Sequence, residues 1–163
     1  MNLRNLYNSI LTGCGVTAAL AILFIVFLVS VNIFLRKFLQ TSIPWTVEVC
    51  EYALYFATFM AAPWVLNQNA HIRVDVFTSF LTPEKSRYLN IIVDFIGLGV
   101  SIVFLVYGVE ATFASWVGKA LIFKELVVPE WWLLLILPLS ALLLTIEFLS
   151  RLTAGFSSQP KIT

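Results

Sequence analysis

Polar and apolar residues do not alternate along this chain. The apolar ones fall into four long runs, and the short stretches between them hold most of the charge. The runs cover about residues 13–35, 45–66, 88–111 and 129–150, and each is as long as the ~20 residues a helix needs to cross the hydrocarbon core of a bilayer. The first carries no charge at all, and the second carries Glu48 and Glu51 near its start. The third has Asp94 and Glu110 inside its ends, and the fourth has Glu130 in its first turn and then none until Glu147. A helix satisfies its own backbone polar groups in lipid, so the pattern predicts an all-α integral membrane protein with four transmembrane helices. The one dense polar seam, His71-Ile72-Arg73-Val74-Asp75, divides the runs into two pairs. After it, at about 74–81, Val76, Phe77, Phe80 and Leu81 can face lipid while Asp75, Thr78 and Ser79 stay wet. That segment reads as a short interfacial helix between the second and third spans. Four spans in 163 residues leave no room for a soluble domain, so residues 1–163 are expected to form a single membrane domain.

Local signals refine the elements. Thr82-Pro83-Glu84 is a helix start with Thr82 as N-cap. A continuous helix from Pro83 to Trp116 would be about 50 Å long, longer than a hydrocarbon core of ~30 Å, so tilt or a protruding end is expected. Pro129 and Glu130 open the fourth helix, and Pro138 removes a hydrogen bond within it and predicts a kink. In the second helix, Thr46, Cys50, Ala53, Ala57 and Ala61 share one face, a ladder of small residues that lets another backbone come close. Glu48, Glu51, Tyr55, Thr58 and Ala62 take the opposite face. Such a helix is expected between two neighbours.

Composition supports the membrane reading. The chain is 60% hydrophobic and 12% charged, with a mean hydropathy of +0.94; soluble domains carry about twice that charge. Orientation follows the lysines and arginines of the short loops. With four spans, Arg4, Arg73, Lys85, Arg87, Arg151 and Lys161 share the side of the termini, and Arg36, Lys37, Lys119 and Lys124 take the other. The larger first set predicts cytoplasmic termini. Trp45, Trp116, Trp131 and Trp132 then fall at the outer interface and Trp64 near the inner one, where indole rings suit the boundary. The first run is too long for a signal-peptide core. Leu11-Thr12-Gly13-Cys14 has the look of a lipoprotein processing box, but it precedes the apolar run instead of following it. Cys14 and Cys50 read as small apolar fillers.

Carboxylates within spans are costly and need a reason. Glu48 and Glu51 lie in the first two turns of their helix, where the dipole favours negative charge. Three readings stand: an ion pair with Arg36 locking the first two helices, a proton or cation site, or contact with a partner subunit. Asp94 and Glu110 read as end-of-span groups, Asp94 within reach of His71, Arg73 or Arg87. Glu147 and Arg151 form an i,i+4 pair with an anchoring role, worth about 0.2–0.5 kcal/mol on an exposed helix. His71, without a second ligand nearby, reads as a hydrogen-bonded hinge residue and not as a metal ligand. No nucleotide loop, metal-ligand cluster or nucleophile elbow occurs in the sequence. No enzyme activity, cofactor, metal or nucleic-acid partner is therefore expected; membrane lipids are. The spans also lack the internal repeat and mid-membrane polar breaks of a self-sufficient secondary transporter, which points to a subunit.

Several of these residues also form an ordered set. Asn32-Ile-Phe-Leu-Arg36 closes the first helix, Trp45-x-x-Glu48-x-x-Glu51 opens the second, and His71-Ile-Arg73-Val-Asp75 follows the small ladder of Ala53, Ala57 and Ala61. This order resembles the small membrane subunit, the Q-type or DctQ-like subunit, of tripartite ATP-independent periplasmic (TRAP) transporters, and in detail looks most like the sialic-acid versions. The resemblance implies a bacterial inner-membrane system in which a soluble periplasmic protein captures an organic acid. A large membrane subunit then moves the acid with sodium, and the small subunit braces the large one and helps the binding protein dock. Arg36, Lys37, Lys119 and Lys124 would supply a positive periplasmic patch for docking. The alternative is an independent small proton-coupled transporter using Glu48 or Glu51.

Overall fold

The computed structural model describes residues 3–68 and 83–157. The His71–Asp75 seam, the expected interfacial helix at 74–81 and the Thr82 cap lie outside the described residues. The elements are α1 (Leu3–Phe38), α2 (Thr46–Gln68), α3 (Pro83–Gly118), strands β1 (Leu121–Phe123) and β2 (Val127–Pro129), a short α4 (Glu130–Leu134), and α5 (Ile136–Ser157). Among the described residues four stretches are long and apolar enough to cross a membrane: Leu6–Phe38, Thr46–Gln68, Tyr88–Gly118 and Glu130–Thr153. They match the four apolar runs.

The third helix runs from Pro83 as its start signal predicts, and its 36 residues rise about 54 Å. The first helix is equally long at 36 residues, because the polar stretch before the apolar run continues the same helix. There the Thr12 hydroxyl donates to the Asn8 carbonyl at 2.9 Å. Pro138 interrupts the hydrogen bonding of the fourth span, although Leu135 keeps a helical backbone, with φ -59° and ψ -30°. Without its N–H the carbonyl four residues earlier, that of Leu134, loses its helical partner, and the fourth span divides at Leu135 into α4 and α5. Pro63, by contrast, is fully buried inside α2, which continues through it.

The helices pack in a row, α1 on α2, α2 on α5 and α5 on α3. The second helix therefore lies between two neighbours. Its contact with α1 is built from Ala18, Ala57 and Met60, with Cys14, Ala21, Phe56 and Ala61 packed around them. Gly15 lets the ring of Trp64 lie against the α1 backbone, since a Cβ there would come within 2.6 Å of the indole. Gly97 gives the Phe148 ring the same access to α3. Hydroxyls tie α5 to both sides: Ser140 donates to the Phe59 carbonyl at 2.5 Å, and Thr145 donates to the Ser101 hydroxyl at 3.2 Å.

Both flanking helices bury one narrow stripe. On α1 it follows Tyr7, Leu11, Cys14, Ala18, Ala21, Ile25, Leu28, Asn32 and Leu35. On α3 it follows Asp94, Leu98, Ser101, Leu105, Gly108, Thr112 and Ser115. Steps of three and four give the 3.5-residue period of left-handed helix packing. The remaining faces are exposed and strongly apolar, with Leu23, Phe27, Phe95, Ile96 and Phe113 among them.

Candidate functional site

The ionisable groups gather at the two ends of the helix row. At one end α3 closes in a Schellman turn: the Ala120 amide reaches back to the Ser115 carbonyl at 3.1 Å and the Lys119 amide to that of Trp116 at 3.3 Å. Lys119 takes the left-handed conformation, with φ 49°, although the adjacent Gly118 would hold it with less strain. The chain then forms an antiparallel hairpin in which Leu121 pairs with Pro129, Ile122 with Val128 and Phe123 with Val127. Its base is closed by the Glu130 amide on the Ala120 carbonyl at 3.1 Å and by the Ser115 hydroxyl, which donates to Glu130 Oε2 at 3.0 Å.

Two carboxylates of α2 hold the tip of this hairpin. Glu48, only 7% exposed, accepts the amide of Glu125 on Oε1 at 2.6 Å and that of Leu126 on Oε2 at 2.9 Å. Successive N–H groups converging on one carboxylate form a small anion cradle. Glu51 accepts from Lys124 Nζ at 2.8 Å, a bond that pushes the Lys124 ammonium above its ordinary value. Lys124 also lies over the Tyr52 ring, 5.9 Å from its centre. The expected Arg36–Glu48 pair is therefore corrected. Both Glu48 oxygens bind the hairpin, and Arg36 is exposed and forms no ion pair among the described residues. Of the expected positive patch, Arg36, Lys37 and Lys119 are exposed, whereas Lys124 is engaged by Glu51. Asn32 accepts the Ile43 amide on Oδ1 at 3.0 Å, fixing the turn before the partly exposed Trp45 and α2.

At the opposite end a second cluster joins all four spans. Glu147, 4% exposed, accepts from the Tyr7 hydroxyl of α1 at 3.1 Å, from Asn67 Nδ2 of α2 at 3.2 Å and from Arg151 Nε at 3.4 Å. Arg151 also donates to the Leu66 carbonyl and lies 3.9 Å from Asp94 of α3. The expectation of a merely anchoring pair on an exposed helix is overturned. Spacing within α5 predicts Glu147 with Arg151, but not the burial imposed by side chains 140 and 80 residues away. Asp94 meets Arg151; His71 and Arg73, its expected partners, lie outside the described residues, as does Asp75. The side chain of Arg87 lies outside them too.

Between the two ends the spans are joined by small residues. Ala57 is 2% exposed and packs with Ala18, with Ala61 beside them; Ala53 is half-buried on the same helix. Among the described residues no group of three or more His, Cys, Asp or Glu is placed to hold a metal ion. Carboxylates whose acceptor oxygens are met by backbone amides, a phenol, an amide and a guanidinium act chemically as clamps.

No curated protein matches the chain. The family model described as "Tripartite ATP-independent periplasmic transporters, DctQ component" matches residues 25–157, from within α1 to the end of α5. The match takes in the hairpin, both carboxylates that hold it, and the Glu147 cluster except Tyr7. This chain thus belongs to the DctQ family and is a multi-pass membrane protein, the small membrane component of a TRAP transporter.

Proposed function

We propose that the chain is the non-catalytic scaffold of a sodium-coupled organic-acid importer, with sialic acid as the acid, since its sequence looks most like the sialic-acid versions of this subunit. In this reading it forms one membrane domain in the bacterial inner membrane with both termini cytoplasmic. It braces the large transport subunit and offers part of the docking surface for the soluble binding protein. The supporting observation is the disposition of its carboxylates: Glu48, Glu51 and Glu147 hold a hairpin and four helices together. The test is reconstitution in proteoliposomes. The chain alone should move no solute. Together with the large subunit and the binding protein, uptake should require a sodium gradient. Solute uptake by the chain alone would instead establish the proton-coupled transporter reading of Glu48 and Glu51.

Docking has a separate test. Lys124 is unsuitable for charge reversal, because its loss also frees Glu51. Arg36 and Lys37 are exposed at the same end, and exposed charge mainly raises the on-rate. Arg36→Glu with Lys37→Glu should slow uptake at limiting binding protein, and less so at high salt. Unchanged uptake at low salt would assign docking to the large subunit alone. A cysteine at position 37 should be labelled from the periplasm; labelling only from the cytoplasm would reverse the orientation.

A further inference from the structure

Two neighbouring hollows at the hairpin end are both lined by Trp116 and Trp131, and together they make a two-part groove beside α3. The first, about 520 Å³, lies at the end of α3 against Leu121 and Pro129 of the hairpin, with the exposed Lys119 in its lining. The second, about 330 Å³, runs down between α3 and the fourth span past Val109, Phe113, Leu135 and Pro138. Its one hydroxyl, that of Thr112, donates to the Gly108 carbonyl at 2.7 Å, so the lower groove presents an apolar wall. The upper hollow carries the charged side chain, the two indoles line both hollows, and the lower one is apolar.

We infer that this groove holds one phospholipid of net negative charge, with its phosphate at Lys119 and one acyl chain along α3. Three observations carry this beyond an apolar surface. The length fits: from Val109 to the end of α3 at Gly118 the helix rises about 14 Å, close to half a hydrocarbon core of ~30 Å. The charge fits, because Lys119 is the one cation lining either hollow and is exposed, with no ion pair among the described residues. The order fits as well, since Trp116 and Trp131 lie between charge and apolar wall, the level that indole rings take in a bilayer. The Schellman turn holds Lys119 at this place. A phosphate beside Lys119 leaves the docking patch to Arg36 and Lys37.

Native mass spectrometry of the full chain, released from micelles equilibrated with equal phosphatidylglycerol and phosphatidylcholine, tests the site. One retained lipid is expected, with phosphatidylglycerol favoured about fivefold, the share of one lysine at an anionic surface. Lys119→Ala should abolish the preference and leave a weaker adduct of either lipid. Val109→Trp, at an exposed position facing the groove, should remove the adduct of both. A preference that survives Lys119→Ala, or an adduct that survives Val109→Trp, would overturn the proposal. The same measurement on the complex with the large subunit should retain the lipid. Its loss there would mean that a helix of that subunit fills the groove, which overturns the proposal for the assembled transporter.

Discussion

Glu48 is the residue on which the hairpin end depends, because its two oxygens meet two amides that would otherwise lie in a partly buried turn without partners. Glu48→Gln keeps the volume but turns an N–H donor toward one of those amides. Losing a hydrogen bond to a charged group costs about 1.5–3 kcal/mol, and the measurable consequence is local. Hydrogen exchange at the Glu125 and Leu126 amides should speed up, while Arg36→Ala should leave both unchanged. Equal acceleration by Arg36→Ala would restore the ion pair that the geometry replaces. The Lys124–Glu51 contact adds no pH sensitivity near neutrality. A lysine whose value is raised on folding keeps its contribution below the ordinary value of 10.5 and loses it only as pH climbs through the raised one. At Lys119 the left-handed backbone is strained for a side chain, so Lys119→Gly should raise stability by about 0.5–1 kcal/mol. Thermal unfolding in detergent reads this directly.

Helix contacts, at the scale of elements, rest on small residues. In lipid there is no hydrophobic drive between helices, so close backbone packing takes its place. Ala57→Leu at the α1–α2 contact, or Gly15→Ala beneath the Trp64 ring, should each cost about 1–3 kcal/mol by overpacking. Both should lower the yield of assembled complex without changing substrate preference. A shifted preference would contradict the scaffold role. The small ladder of α2 was legible because Thr46, Cys50, Ala53, Ala57 and Ala61 repeat at helical spacing. The buried stripes of α1 and α3 were not. Every face of those helices is apolar, so burial follows Ala18, Ser101, Gly108 and Ser115, and hydropathy does not mark it. The hairpin was hidden for another reason: three-residue strands carry too short a pattern to stand out from a loop.

At the scale of the whole molecule, the Glu147 cluster draws on all four spans. Removing one member of a buried pair typically costs about 3–5 kcal/mol, because the other charge stays buried. Glu147→Ala leaves Arg151, Asn67 and Tyr7 with donors directed at an empty place, and should abolish a monodisperse chain in detergent. Glu147→Gln retains an acceptor and should recover part of the yield. If both variants fold as well as the parent, the spans are held by packing alone and the cluster is incidental.

The sequence by itself determined that this is a membrane protein of four spans, because length and apolarity alone decide whether a helix can cross lipid. It also determined where Pro83 starts the third helix and where Pro138 interrupts the hydrogen bonding of the fourth, since both effects act within four residues. An ordered set of short motifs was enough to indicate the family. Which carboxylate meets which partner was decided only by the tertiary structure. Glu48 finds its amides 77 and 78 residues away and Glu147 its phenol 140 residues away, and no local rule specifies a pairing that exists only once the helices stand side by side.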